Sequence, residues 1–206
     1  MMLINHRINT LKLLSNVPSE NGIEVDVRYH NNDLILHHNP FKHHETHPEL
    51  FENLLKEWKC SGYMILNIKT EGIEQRCIDL MNKYAIKKWF FLDLSMPYFA
   101  IFSEKAKNLH IKGFCPDNLA VRFSEREPIE YALSYAGKAK WVWIDCFSFL
   151  PLSVEAYKKL KKLNFKICIV SPELQNHPKN KIADFKLQLN TIDIDAVCTK
   201  YPEMWI

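Results

Sequence analysis

Short apolar runs recur along the chain, and the segments between them carry apolar residues at a helical period. The runs are apolar at nearly every position, which is typical of parallel strands that are covered on both faces. This pattern predicts strands at 2–5, 23–29, 63–68, 89–94, one within 109–123, 141–145, 165–170 and 195–200. Helices are predicted between them, with clear apolar stripes in 48–58, 72–84 and 152–164, the last capped by Ser153.

Eight strands that alternate with helices indicate a parallel α/β architecture. The count predicts a compact (β/α)8 TIM barrel, a single domain over 1–206, although 206 residues is near the lower end for that fold. A doubly wound sheet is the alternative. It lacks support because no glycine-rich phosphate loop follows the first strand, and the chain has only five glycines.

Composition narrows the classes of function. The net charge of +3 is too small and too scattered to predict a nucleic-acid partner. No apolar run is long enough to span a membrane, and the N-terminal residues lack a signal-peptide layout, so we expect a cytoplasmic protein with no integral membrane association. The six cysteines are spread singly, which predicts buried, reduced thiols.

The polar residues that matter are expected at the carboxyl ends of the strands, where chemistry collects in parallel barrels. Glu24 and Asp26 lie two apart and therefore share one face of their strand. Two carboxylates on a buried strand need a cation or basic partners. The sequence leaves two interpretations open: a hard divalent ion, Mg²⁺ or Ca²⁺, or a structural salt bridge to Arg7, Arg28 or Lys69.

Histidines are dense, with five of the nine between residues 37 and 47. The segment HHETH at 43–47 follows no zinc-ligand spacing, and a solvated loop is favoured there. His38 follows an apolar run and His6 follows the first strand, so the two are predicted to meet near the acids as an acid–base pair. Arg7 and Lys69 add positive charge that suits a phosphate diester.

Five motifs, in order, resemble those of the glycerophosphodiester phosphodiesterase family, within the phospholipase-C-like phosphodiesterases. NHRIN (5–9) resembles the family's His-Arg-Gly, EVDVR (24–28) its Glu-x-Asp, and HNPF (38–41) its His-Asp-Pro. LNIK (66–69) is similar to its Glu-x-Lys, and IDAVCTKYPEMW (194–205) to its closing strand. The resemblance runs from one end of the chain to the other.

The resemblance implies a TIM barrel that hydrolyses phosphodiesters with a divalent metal, Mg²⁺ or Ca²⁺. It implies that His6 and His38 are catalytic, that Glu24, Asp26 and Asn67 bind the metal, and that Arg7 and Lys69 bind the substrate phosphate. In this family a neighbouring glycerol hydroxyl is thought to attack phosphorus first. One histidine then takes its proton while the other protonates the departing alcohol.

The chain departs from the family's motifs at three positions, as a divergent member of the family would. Asn67 stands where the family has a third metal carboxylate, Asn39 replaces an aspartate, and Ile8 replaces a glycine. An amide oxygen still binds Mg²⁺ or Ca²⁺ but supplies no charge, so we expect weaker metal binding.

Three glutamates could restore that negative charge, Glu71, Glu125 and Glu127. Glu125 is favoured because it follows a strand end; the alternative is that they cap or begin helices. Glu173 is predicted to line the mouth, where it would contact a substrate hydroxyl or amine. Trp141 and Trp143 share a strand face and are expected in the core rather than against a sugar.

The favoured function is therefore a metal-dependent phosphodiesterase acting on a glycerophosphodiester or a related polyol or sugar phosphodiester. Its partner would be a soluble or polymer-derived small molecule, not nucleic acid or intact lipid. Two alternatives remain: a catalytically degenerate barrel that binds phosphorylated ligands or a partner protein, and a lyase that stops at a cyclic phosphate.

Overall fold

A computed structural model describes residues 1–42 and 47–206. Its strands, β1 to β10, are Met2–Asn5, Gly22–His30, Asp33–Leu36, Glu49–Leu50, Met64–Ile68, Trp89–Leu92, Ala120–Phe123, Trp141–Ile144, Lys166–Val170 and Ala196–Thr199. Its α-helices, α1 to α7, are Leu11–Leu14, Phe51–Glu57, Glu74–Lys83, Met96–Lys107, Ile129–Leu133, Val154–Lys162 and Lys181–Gln188. Short 3₁₀ turns lie at Pro116–Asn118, Pro172–Gln175 and Pro202–Met204.

Eight of these strands run parallel in chain order around a barrel. β1, β2, β5 and β6 pair in sequence, as do β7, β8, β9 and β10, and β10 pairs with β1. Between β6 and β7 the described residues form only an isolated parallel bridge, from Phe91 to Leu119. We call this line of contact the seam. The predicted (β/α)8 arrangement is confirmed, with the seam as its weakly paired edge.

An antiparallel hairpin extends β2 beyond the barrel. β2 runs to His30, the chain turns at Asn31 and Asn32, and β3 returns alongside it. Both asparagines have positive φ, 46° and 69°, as a two-residue hairpin turn of this hand requires, and asparagine tolerates that conformation. The hairpin was not predicted, because β3 has only four residues. It returns the chain to the rim, where the His37 N–H donates to the Asp26 carbonyl at 3.0 Å.

The core has two layers. One lies between the strands and the helices, and the other fills the barrel interior. Trp141 and Trp143 lie in the interior, with Trp141 stacked on Phe90 at a centroid distance of 4.9 Å, so their predicted core role is confirmed. Burial of such aromatic rings is a large part of the free energy that holds a small barrel together.

The predicted elements agree closely with the observed ones at most positions. Ser153 caps α6 by accepting from the Ala156 N–H at 3.1 Å. The strand expected within 109–123 is β7, at its end, and residues 109–114 form turns instead. All six cysteines are free thiols. In the described ranges, no helix has both the length and the apolar character that crossing a bilayer requires.

Candidate active site

Glu24 and Asp26 project from β2 into the barrel near its carboxyl rim, and both are almost completely buried. The register between β2 and β5 sets Asp26 opposite Asn67. Glu24 Oε1 accepts from Asn67 Nδ2 at 2.8 Å, and Glu24 Oε2 accepts from the Arg7 backbone N–H at 2.8 Å. The sequence prediction that the two acids share a buried face is therefore confirmed.

Asp26 is positioned by Asn9, which the sequence analysis did not single out. Asn9 Nδ2 donates to Asp26 Oδ2 at 2.8 Å, and Asn9 Oδ1 accepts from the Asp26 N–H at 2.9 Å. Asp26 Oδ1 accepts no hydrogen bond and lies 3.6 Å from Lys69 Nζ, while Arg7 Nε lies 3.8 Å from Oδ2. These distances are long for ion pairs, so the two cations compensate the charge of Asp26 only in part.

The negative charges of the two carboxylates repel each other. Burial, and then the charge of Asp26, raise the pKa of Glu24 to about 7, against the opposing hydrogen bonds from Asn67 and the Arg7 N–H. A pair of acids in this situation is stabilised by an additional positive charge.

The residues present fit a hard cation. Asp26 Oδ1 and Asn67 Oδ1 are buried oxygens that accept no hydrogen bond, and they lie on paired residues beside Glu24. Oxygen atoms of this kind are the ligands that Mg²⁺ and Ca²⁺ prefer. In the described part of the chain no three or more His, Cys, Asp or Glu side chains group in a metal-binding arrangement. The donor set is thus two carboxylates and an amide.

His6 lies against this pair. Its Nε2 is 3.7 Å from Glu24 Oε2, and its Nδ1 is buried with no hydrogen-bond partner. Burial, and then the positive charges of Arg7 and Lys200, lower the pKa of His6 to about 3. In the absence of a cation and substrate, His6 is therefore a neutral imidazole at physiological pH.

His38 lies at the same rim because it follows β3, the returning strand of the hairpin. Its Nε2 lies 2.5 Å from Arg7 Nη2, and its Nδ1 lies 3.0 Å from Asn39 Oδ1. The guanidinium is a donor only, so Nε2 accepts and Nδ1 carries the proton that Asn39 accepts. The amide at position 39 thus holds the imidazole as an aspartate would, without its charge. Arg7 has a positive φ of 55°, which turns its N–H to Glu24 while its side chain reaches His38.

Arg28 anchors the segment that carries His38. Its Nη2 donates to the His38 carbonyl at 2.8 Å, its Nε to the His37 carbonyl at 3.0 Å, and its Nη1 to the Lys69 carbonyl at 3.1 Å. The sequence analysis considered Arg28 only as a salt-bridge partner of the acids. Its position directly after the Glu-x-Asp pair was the available signal, but its backbone partners are brought near only by the hairpin.

A chain of ion pairs leads from the acids along the rim. Lys69 Nζ lies 3.6 Å from Asp26 Oδ1 and 3.4 Å from Asp93 Oδ2. Asp93 pairs in turn with Arg122 Nη2, and Arg122 Nη1 lies 3.2 Å from Asp145 Oδ2. These residues lie at the carboxyl ends of β5, β6, β7 and β8, the end of the barrel where the sequence predicts that polar residues gather, and they form one connected network.

Glu125 and Glu173 are both held by the protein. Glu125 Oε1 accepts from the Ser148 N–H at 2.5 Å, and its Oε2 is buried without a partner. Glu173 accepts from Thr199 Oγ1 at 2.7 Å and from the Lys200 N–H at 2.9 Å, which ties β9 to the end of β10. Their expected contributions, replacement charge and substrate contact, stay predictions. Residues 43–46 of the histidine-rich segment lie outside the described residues.

Asp145 gives a prediction for stability. Burial raises the pKa of Asp145 from 3.8 to about 6, against the charge of Arg122. Its contribution to stability is therefore full below about pH 4 and is lost as pH rises through about 6. Asp145→Asn stays neutral, so its free energy of unfolding relative to the wild type should rise by roughly 2 kcal/mol between about pH 4 and about pH 7.5. Chemical denaturation at both pH values measures this.

The control for that measurement is Asp184→Asn, because Asp184 is exposed and, among the described residues, forms its ion pair with Lys181 of its own helix. Its stability difference from the wild type should stay nearly constant over the same range. A pH-independent difference for Asp145→Asn as well would contradict the assigned pKa.

Comparisons with known proteins identify the fold. No sequence model of a protein family matches the chain, and no curated protein matches it. Among solved structures, a glycerophosphodiester phosphodiesterase from Agrobacterium tumefaciens superposes with a TM-score of 0.68 at 12% identity, over 99% of this chain and 98% of that chain. A glycerophosphoryl diester phosphodiesterase from Parabacteroides distasonis superposes with a TM-score of 0.66 at 10% identity, over 98% of this chain and 84% of that chain. The chain has the fold of these enzymes.

Proposed function

We propose that this chain, which shares the fold of glycerophosphodiester phosphodiesterases, is a metal-dependent phosphodiesterase. Its substrate would be a glycerophosphodiester or a related polyol or sugar phosphodiester. The observation that carries this proposal is the meeting of four side chains at one rim: Glu24 and Asp26 from β2, His6 after β1, and His38 after the β3 excursion.

The histidines take distinct roles. His6 is neutral and lies beside the acids, so it accepts the proton of the attacking hydroxyl. In the free protein the Arg7 guanidinium donates a hydrogen bond to His38 Nε2. A bound phosphate would draw the Arg7 guanidinium onto its oxygens, because a guanidinium pairs more strongly with an anion than with a neutral imidazole. The released Nε2 then takes up a proton from water, and His38 delivers that proton to the leaving alcohol.

Glu24, Asp26 and the Asn67 amide oxygen would hold the divalent ion. When bound there, Mg²⁺ or Ca²⁺ supplies charge neutralisation at the phosphoryl oxygens and lowers the pKa of the attacking hydroxyl. Lys69 bridges Asp26 and Asp93, so its ammonium is held at the rim, where it contacts the phosphate. With an amide in place of a third carboxylate, the site binds the ion more weakly than an all-carboxylate set would.

A second candidate is a barrel that binds phosphorylated ligands without turnover. Two hydrogen bonds favour it: Asn67 Nδ2 donates to Glu24 Oε1, and Arg7 Nη2 donates to His38 Nε2. A divalent cation would compete with the uncharged Asn67 amide for Glu24, and a phosphate would compete with the His38 imidazole for Arg7, so metal and substrate would replace both contacts. Catalysis therefore remains the function that we favour.

The deciding experiment is a panel of glycerophosphodiesters incubated with Mg²⁺ or Ca²⁺ and followed by ³¹P NMR. We expect slow conversion of at least one diester to a phosphomonoester, dependent on the metal and stopped by EDTA. Accumulation of a cyclic phosphate as the end product would make the protein a lyase. Binding of diesters without any turnover, with either metal, would favour the non-catalytic barrel and contradict the proposal.

A further inference from the structure

The seam is open towards the rim. Near its base, Asn118 Nδ2 donates to the Trp89 carbonyl at 3.0 Å, so a buried side chain bridges the two strands there. Phe91 and Leu119 form the single bridge above it. Beyond this point the described residues of β6 and β7 form no ladder, and the next link is the Arg122–Asp93 ion pair.

A cavity of about 330 Å³ occupies this gap. Its strand walls are Leu92–Leu94 and Ala120–Arg122, and its outer wall is formed by Phe99 and Tyr131 from α4 and α5, with Glu127 at one side. A cavity of this size accommodates a group of a few non-hydrogen atoms and is at the lower end of the range for ligand pockets.

Lys69 links the cavity to the candidate active site. Lys69 Nζ contacts Asp26, one of the two acids, and Asp93, which lines the cavity. A phosphate held by Lys69 would therefore direct one of its two alcohol groups towards the seam.

Negative charge exceeds positive charge around the cavity. The lining holds two carboxylates, Asp93 and Glu127, and one cation, Arg122, which pairs with both and also with Asp145 outside the lining. Glu127 makes its contacts through Oε2, which lies 3.8 Å from Arg122 Nε and accepts from Ser124 Oγ at 3.1 Å. Among the described residues its Oε1 has no hydrogen bond and remains available to a donor.

These features discriminate between ligands by charge. A second phosphate or a carboxylate would be repelled by the excess of acids. An ammonium group would be attracted to them, could donate to Glu127 Oε1, and would be further stabilised beside aromatic rings such as Phe99 and Tyr131. A neutral polyol gains only the hydrogen bond.

We infer that the seam cavity is the subsite for one alcohol of the diester and that it selects an alcohol bearing an ammonium group. The part of this inference that concerns substrate selection in catalysis rests on the proposed function. It assigns the recognition of an amine to Glu127. From the sequence that role was predicted for Glu173, whose two oxygens already accept from Ser171, Thr199 and the Lys200 N–H.

The test compares two substrates of similar size, glycerophosphoethanolamine and glycerophosphoglycerol. The wild type should show the higher kcat/KM with the ammonium substrate. In Glu127→Gln the ratio of the two kcat/KM values should fall about tenfold, which corresponds to the loss of one charge-assisted contact. The control is Glu130→Gln, three residues further along in α5 and outside the cavity lining, in which the ratio should stay within about twofold.

A binding experiment separates this inference from the proposed function. Ethanolamine alone, titrated into the protein and followed by NMR, should bind in the millimolar range and bind several-fold more weakly to Glu127→Gln, whether or not any diester is hydrolysed. Circular dichroism confirms that the variant is folded. A ratio unchanged by Glu127→Gln, or ethanolamine binding equal in both proteins, would overturn the inference.

Discussion

Replacing His38 or His6 with alanine is expected to lower kcat/KM for the best diester by about 10³-fold. In the proposed mechanism each imidazole transfers a proton at a reacting oxygen, His6 from beside Glu24 and His38 from beside Arg7. Steady-state kinetics under saturating metal measures the effect. His6→Ala should also leave metal affinity nearly unchanged, because His6 is not among the oxygen donors.

The matched control is His110→Ala, since His110 is exposed and lies in the turn after α4. It should retain the activity of the wild type. Substantial activity in both His6→Ala and His38→Ala would remove the proposed acid–base mechanism, whatever the identity of the substrate.

Replacing Asp26 with asparagine is the second change with a large expected effect. It removes one of the two charges in a donor set that already contains an amide, so Mg²⁺ or Ca²⁺ affinity should fall by at least about tenfold and kcat/KM by about 10³-fold. Asn9 can still donate to the new amide oxygen, which helps to preserve the local structure. Calorimetric titration of the metal and kinetics measure the two effects.

The control for this variant is Asp193→Asn, an exposed position in the loop before β10. Its metal affinity and activity should match those of the wild type. If Asp26→Asn bound metal as tightly as the wild type, Asp26 would be a structural ion-pair partner of Lys69 and Arg7, and the metal site would have to lie elsewhere.

Much of the fold was predictable because buried parallel strands have a simple signature. Each barrel strand is apolar at most of its positions, and the period of two along β2 places Glu24 and Asp26 together without further information. The same reasoning located His6 and Lys69, since the ends of parallel strands converge at one rim.

The remainder depends on contacts between distant parts of the chain. Arg28 acts through carbonyl groups of His37, His38 and Lys69, which carry no signal in their side chains. The sequence also gives no signal of the seam between β6 and β7. Both strands are as apolar as their neighbours, and they differ from them only in how they pair. The sequence did not indicate the role of Asn9, because an asparagine that follows a strand is more often a turn residue than a hydrogen-bond donor to a carboxylate.

The hairpin has a consequence for how the site can change. His6 is attached directly to a barrel strand, whereas His38 follows the hairpin and is held at the rim by Arg28 and by the bond from the His37 N–H to the Asp26 carbonyl. Insertions or deletions at the Asn31–Asn32 tip would leave the barrel intact and yet shift one proton-transfer group relative to the other. Substrate length and geometry can thus be altered at that appendage without rebuilding the scaffold that carries the acids.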